Sequence, residues 1–219
     1  MVRKNGAFFF EKNQTQIGTS SRLVYSNVNS ELDKECLTDY LNTFYHIFLE
    51  HKQDFKFLLA ESEILLLIPI TGAIEITNQN TAYITAGEVY TLKNRSRSFC
   101  ISNPLINQKV DVLILILATQ LKVHEDLKKF NFMESNFHRL FSDLNSEIWI
   151  YKLSNRDEKK LGFETQKNTF IYCIWGAFEI EGRLIQKNEG LTITNTSTLE
   201  IESIEENSIL IFFKENVII

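Results

Sequence analysis

Only 2 prolines and 8 glycines occur in 219 residues, a content that excludes collagen-like chains and Pro/Gly-rich disorder. Cysteine is as sparse. Cys36, Cys100 and Cys173 are odd in number, widely spaced and without a Cys-x-x-Cys pair, so no disulfide framework or thiolate metal clasp is encoded, and a reducing, cytoplasmic compartment is expected. Basic residues fall short of acidic ones, 23 against 28 for a formal charge of −5, and neither sign forms a long block. That balance predicts no direct nucleic-acid contact and no anionic-membrane binding. The longest apolar runs, Ile64 to Ile70 and Val112 to Ala118, stop far below the ~20 residues of a membrane helix. Near the N-terminus Ala7-Phe8-Phe9-Phe10 breaks at Glu11-Lys12, short of the ~7 to 15 apolar residues of a signal peptide, and none is expected. Gly-x-Gly-x-x-Gly, Gly-x-x-x-x-Gly-Lys-Ser/Thr and Gly-x-Ser-x-Gly are all missing, which removes phosphate-cradling loops and the serine nucleophile elbow.

What is present is an ordinary globular composition, 44% hydrophobic and 23% charged, enough for a sizeable core in one large or two small domains. Short apolar, β-branched and aromatic runs recur between Asn, Ser, Thr and Gly clusters, the pattern of many strands. One series is read at Ile64 to Ile70, Ala73 to Thr77, Ala82 to Thr85, Val89 to Leu92, Ser98 to Ser102 and Val110 to Leu117. A second lies at Ile148 to Leu153, Phe170 to Ile174, Ala177 to Ile180, Leu191 to Thr194, Leu199 to Ser203 and Ile209 to Phe213. Between them, Val123, Leu127, Phe130, Phe137, Leu140, Phe141 and Leu144 fall at spacings near 3 and 4 and predict a partly helical connector. Leu32, Cys36, Leu37 and Leu41 suggest another helical stretch over Glu31 to Leu41.

The two series are copies. Ile70-Thr71-Gly72-Ala73-Ile74-Glu75-Ile76 aligns with Ile174-Trp175-Gly176-Ala177-Phe178-Glu179-Ile180 at a constant offset of 104, and Gly87 and Gly190 follow 15 and 14 residues after the first glycine of each. Gly72 and Gly176 permit the positive φ a tight turn needs, and alternation after Gly72 puts Ile74 and Ile76 together on the face expected to be core. Two all-β units of this size suggest two barrels, whose closure removes exposed strand edges. Residues 1–30 are expected either to add strands to the far barrel or to form a loose arm.

Leu65 to Ile76 with Ala86-Gly87-Glu88-Val89 resembles the central hairpin of a cupin barrel. Gly176 to Ile185, Glu189-Gly190-Leu191-Thr192-Ile193, Ile201-Glu202 and Ser208 to Ile211 are similar to the C-terminal cupin of pirin-like proteins. Asn42-Thr43-Phe44, His51 to Phe55 and Ser102-Asn103-Pro104 resemble the N-terminal half of a bacterial pirin-like branch. The resemblance implies an all-β bicupin: a cupin-like barrel with an N-terminal extension over residues 1–120, a connector over 121–146 and a C-terminal barrel over 147–219. Active members of that family bind iron or a similar metal in the N-terminal barrel, some open flavonols such as quercetin with dioxygen, and others resemble transcriptional cofactors.

Cupins of the catalytic kind hold their metal with His-x-His, a carboxylate and a later third His, a donor set suited to divalent iron, nickel, copper or manganese. Counted from Gly72 and Gly87, the slots fall at Leu58 or Leu59, Ala60 or Glu61, Leu65 and Ser98; in the second copy they fall at Gly162 or Phe163, Glu164 or Thr165, Thr169 and Ile201. None is His, and His46, His51, His124 and His138 are the only four in the chain. A gap cannot supply a ligand. Glu61 and Glu63 offer carboxylates without imidazole, a poor site for a redox metal. The expectation is therefore no catalytic residue, no metal and no cofactor. A metal-free pocket framed by the aromatics near the hairpins, Tyr83, Tyr90, Phe99, Tyr172 and Trp175, remains. The reading is a non-catalytic bicupin that binds a small molecule or regulates through a protein, against two alternatives: a quercetin 2,3-dioxygenase-type oxidoreductase, and a protein-interaction module with empty barrels that forms a homodimer.

Overall fold

The computed structural model describes residues 3–4, 7–10, 14–17, 21–26, 40–77, 81–93, 97–118, 126–131, 137–144 and 146–215. All regular elements among them are strands, as the alternating runs predict, and no helix is long and apolar enough to cross a membrane. The chain divides into two compact units, built chiefly from Leu41–Phe130 and Asn131–Ile219.

Four N-terminal strands come first: β1 (Arg3–Lys4), β2 (Ala7–Phe10), β3 (Gln14–Ile17) and β4 (Ser21–Ser26). Strands β5 (Leu41–Leu49), β6 (Asp54–Leu59), β7 (Glu63–Thr71), β8 (Ala73–Thr77), β9 (Thr81–Thr85), β10 (Glu88–Lys93), β11 (Arg97–Ser102), β12 (Val110–Ala118) and β13 (Asp126–Lys129) follow. They form a seven-stranded sheet in the order β13-β10-β7-β12-β5-β4-β3 and a four-stranded sheet in the order β6-β11-β8-β9. The second unit holds β14 (Phe137–Ser142), β15 (Ser146–Leu153), β16 (Glu158–Trp175), β17 (Ala177–Ile180), β18 (Arg183–Gln186), β19 (Gly190–Ser203) and β20 (Ser208–Glu215). Its main path runs β1-β2-β19-β16-β20-β15-β14, with β17 pairing β18 and β19.

Pairing makes the duplication concrete. In the first unit β7 lies between β10 and β12, and β8 turns back onto β9 and β11. In the second, the C-terminal half of β16 lies between β19 and β20, while β17 turns back onto β18 and β19. Gly72 and Gly176 both carry positive φ, 72° and 79°. Ile74 and Ile76 are buried as the hairpin alternation requires. One detail differs: Gly190 is not in the left-handed region, and Asn188, at φ 68°, makes that turn. Gly190 serves close approach instead, since a Cβ there would meet the Ile171 carbonyl oxygen at 3.2 Å.

The expected helicity of the connector is not seen in its described residues, which form β13 and β14. Leu127 pairs with Tyr90 on the edge of the first unit, and Phe137 pairs with Tyr151 in the second. The 3-to-4 spacing joined apolar residues that two different sheets take up, and open strand edges outcompeted the local period. The helical reading of Glu31 to Leu41 falls outside the described residues up to 39, and Leu41 itself opens β5. The N-terminal segment adds strands to both units: β2 pairs with β19, and β4 pairs with β5.

Each barrel has its own core. The first packs Ile47, Leu65, Leu67, Ile76, Phe99 and Ile114 with their neighbours. The second packs Tyr151, Ile171, Phe178, Leu191, Ile201 and Phe212. Inward residues alternate along each strand, as the pleat dictates.

Candidate functional site

The donor set of the family's metal site does not fit the N-terminal barrel. Leu59 and Leu65, at two counted slots, are 0% exposed within the core, whereas Leu58 is 71% exposed and Ala60, Glu61 and Ser98 face outward. Glu63 is a turn cap: its Oε2 accepts the Ala60 N–H at 2.8 Å and its Oε1 accepts from Asn42 Nδ2 at 2.8 Å. Among the described residues no three His, Cys, Asp or Glu side chains form a group able to hold a metal ion.

The histidines are placed apart. His46, buried on β5, bonds through Nε2 to the Asp111 carboxylate, and the Asp111 N–H donates to Thr71 Oγ1 at 3.2 Å. His51 Nδ1 bonds the Leu105 carbonyl at 2.9 Å, His138 lies on β14, and His124 is outside the described residues.

Neither described cysteine is poised as a nucleophile. Burial pushes the Cys173 thiol far up, and Cys100 is raised by burial and by the adjacent Asp54 carboxylate, 3.6 Å from its Sγ. Thiolate is the reactive form. Iodoacetamide at pH 8 is therefore expected to leave Cys173 unmodified in native protein and to label it after denaturation, as read by peptide mass spectrometry. Rapid native labelling of Cys173 would reveal a thiolate this environment does not support.

The five pocket aromatics are dispersed. Tyr83 is 61% exposed, with its hydroxyl near Glu75, and Trp175 is 51% exposed beneath Lys187 Nζ, 3.7 Å from the ring centroid. Tyr90 and Phe99 are in the core of the first barrel, Phe99 stacked on Phe57 at 5.7 Å. Tyr172 is buried beside Phe170 on the sheet face opposite Ile171 and Cys173. None of the five lines either cavity described next.

Among the described residues of the C-terminal unit, two concavities stand out. The larger, about 440 Å³, spreads over an outer sheet face and carries Glu158, Glu179, Glu181, Glu200 and Glu202 with Lys159 and Lys160. Its Lys160 bonds Glu200 at 2.6 Å, which holds that ammonium above the usual lysine range.

The smaller, about 220 Å³, lies against the barrel core. Its walls are Phe137, Trp149, Leu161 and Phe212, with Thr169 beside them. Strand register builds it: Trp149 stands opposite Phe212 and Glu147 opposite Lys214 on β15 and β20, and Thr169 stands opposite Lys214 across β16 and β20. Phe137 is clamped by Tyr151, rings 3.5 Å apart and 5° from parallel. Glu147 and Lys214 are the charged residues of the lining; they stand 3.5 Å apart, and Glu147 also accepts from Trp149 Nε1 at 3.2 Å. Thr169 is fully buried, and its hydroxyl has no hydrogen-bond partner among the described residues.

In the sequence Thr169 is one of the counted ligand slots, and Phe137 belongs to the apolar spacing that predicts a helical connector. The usable signal was the alternation Glu147-Ile148-Trp149-Ile150-Tyr151, which sets Glu147, Trp149 and Tyr151 on one strand face.

Comparison with known proteins agrees with this fold. Residues 142–213 match the family described as the quercetinase C-terminal cupin domain. No curated protein sequence matches the chain. Among solved structures, the bacterial pirin YhhW from Escherichia coli, in complex with nickel(II), superposes at a TM-score of 0.80 with 14% identity, over 96% of this chain and 100% of that one. Quercetin 2,3-dioxygenase from Acinetobacter baumannii gives 0.72 with 10% identity, over 94% of this chain and 78% of that one. YhaK from Escherichia coli gives 0.69 with 12% identity, over 94% and 92%. The class so defined is the all-β double cupin. Within it the chain has the pirin-like bicupin fold, with a quercetinase-type C-terminal cupin domain over residues 142–213.

Proposed function

We propose that this chain is a metal-free, pirin-like bicupin that binds a small molecule in a non-catalytic, regulatory role in the cytoplasm. The observation that carries this reading is the filling of the N-terminal barrel: Leu59 and Leu65, at two of the slots counted from Gly72, are sealed in the core. Two leucines offer no lone pair to a metal, and imidazole cannot enter without displacing them. A largely apolar cavity in the other barrel, whose one carboxylate, Glu147, is paired with Lys214, supports ligand binding as the retained capacity. The net charge of −5 supports regulation without direct nucleic-acid contact. The likeness to a quercetin 2,3-dioxygenase is what recommends the competing oxidoreductase reading.

Elemental mass spectrometry separates the two. Tag-free protein, before and after anaerobic incubation with ferrous iron, nickel, copper or manganese, is expected to lose all metal on dialysis and to leave quercetin unchanged in air. Near-stoichiometric metal that survives dialysis would overturn the proposal.

A further inference from the structure

We infer that the C-terminal barrel binds an uncharged aromatic molecule of one or two fused rings, bearing one hydrogen-bonding group, in the cavity walled by Phe137, Trp149, Leu161 and Phe212. This deepens the proposed ligand-binding role and rests on it.

Size sets the first limit. An apolar protein cavity of roughly 150 Å³ accommodates benzene. The cavity here, about 220 Å³, suits a substituted single ring or a fused pair and is too small for a larger polycycle. Shape sets the second. Phe137 is held flat by its stack on Tyr151 and meets Trp149 edge to face, ring planes at 90° and centroids 6.3 Å apart. Phe137 also stacks near Phe212, centroids 6.0 Å apart. Rings already fixed in place gain stacking and edge contacts with a planar guest without paying side-chain entropy on binding.

Charge sets the third. The charged lining residues, Glu147 and Lys214, face one another across adjacent strands. They offset each other, and Arg139, which also reaches Glu147 at 4.0 Å, lies outside the lining and is 55% exposed, so an ionised guest would meet no unscreened opposite charge and would lose its hydration.

Thr169 supplies the polar requirement. Its buried hydroxyl lacks a partner among the described residues, an arrangement that costs about 1–3 kcal/mol when nothing satisfies it. A threonine side chain has one rotatable torsion, and turning it exchanges methyl for hydroxyl on the cavity wall. A guest with a hydroxyl or ring N–H completes that bond.

The test is calorimetric titration of the full chain with phenol, indole, toluene, cyclohexanol, benzoate and 1-hexanol, with thermal unfolding of every variant to confirm folding. Phenol and indole are expected to bind, benzoate not to, and cyclohexanol and 1-hexanol to bind at least about tenfold more weakly than phenol. Leu161→Trp fills the cavity and is expected to abolish binding. Thr169→Val keeps the volume and is expected to weaken phenol about tenfold while leaving toluene unchanged, an outcome that remains readable if Leu161→Trp does not fold. No binding of phenol or indole, or equal binding in Thr169→Val, would overturn the inference. Preferential binding of 1-hexanol, lost in Leu161→Trp, would overturn the ring assignment and leave the ligand-binding role standing. Stoichiometric metal in protein that also binds phenol would do the reverse.

Discussion

Leu65→Glu is expected to unfold the N-terminal barrel at neutral pH. Leu65 is fully buried on the central strand β7, opposite Leu92 on β10 and Ile116 on β12, both of which belong to the same core. Removing the leucine forfeits about 1.5–3 kcal/mol of burial. Placing a carboxyl there adds several kcal/mol more, because the core cluster around it is built of hydrophobic side chains. Against a total stability of about 5–15 kcal/mol for a domain, that sum is decisive. The loss also carries a sign with pH. A buried carboxyl without a cation has its folded pKa raised above its unfolded value of ~4.3, so the variant is least impaired below that value and loses stability as pH rises from there. Denaturant unfolding followed by circular dichroism at pH 4 and pH 8 measures both parts, with Leu65→Met as the volume-conserving control, expected to cost less than about 1.5 kcal/mol. A folded Leu65→Glu variant that took up iron would show that the barrel interior retains room and polarity for a ligand set, and the metal-free reading would fail with it.

Gly176→Ala is expected to destabilise the C-terminal barrel by about 3 kcal/mol or more, lowering Tm by roughly 6–12 °C for a chain of this size. Two costs add. Gly176 sits at φ 79°, where a Cβ is strained by ~1–2 kcal/mol. That Cβ would also lie 2.2 Å from Ser208 Oγ and 3.0 Å from Ser208 Cα. The hydroxyl is not free to leave cheaply, since it donates to the Glu205 carbonyl at 2.8 Å, and the Cα is backbone of β20. Gly182→Ala separates the two contributions. It has a similar φ, 70°, but nothing within 4 Å of its ideal Cβ, so it should lose only the conformational part, about 1 kcal/mol. Equal losses in the two variants would mean that the Ser208 contact is relieved at no cost.

The legible part of this chain was local. Gly72 and Gly176 announced turns because few residues tolerate the left-handed region, and the Ile74 and Ile76 alternation announced which face would be buried. Strands such as Ala73–Thr77 and Ala177–Ile180 were readable to the residue because a hairpin turn fixes one end and the pleat fixes the period. Leu41–Leu49 and Asp54–Leu59 were not read as strands; each carries polar residues on one face and becomes extended only by pairing with Val110–Ala118 or Arg97–Ser102.

The candidate site was illegible for a related reason. Phe137, Trp149, Leu161, Thr169 and Phe212 come from four strands spread over 76 residues, and no motif binds them together in the sequence. The aromatics that stood out, Tyr83 and Trp175, stood out because they flank the repeated turns, and turn flanks face solvent.

By itself, then, the sequence determined the all-β class, the duplicated hairpin and the lack of histidine at every counted ligand slot, because each depends on residue type, on a spacing of two or on an absence that no folding can repair. Tertiary structure decided that Asp126–Lys129 and Phe137–Ser142 are strands rather than helix, that the N-terminal strands serve both units, and that Phe137, Trp149, Leu161 and Phe212 wall a cavity in the C-terminal barrel. Those outcomes depend on which strand edges are left to pair and on which distant side chains the register sets face to face, and neither is written in any short stretch of chain.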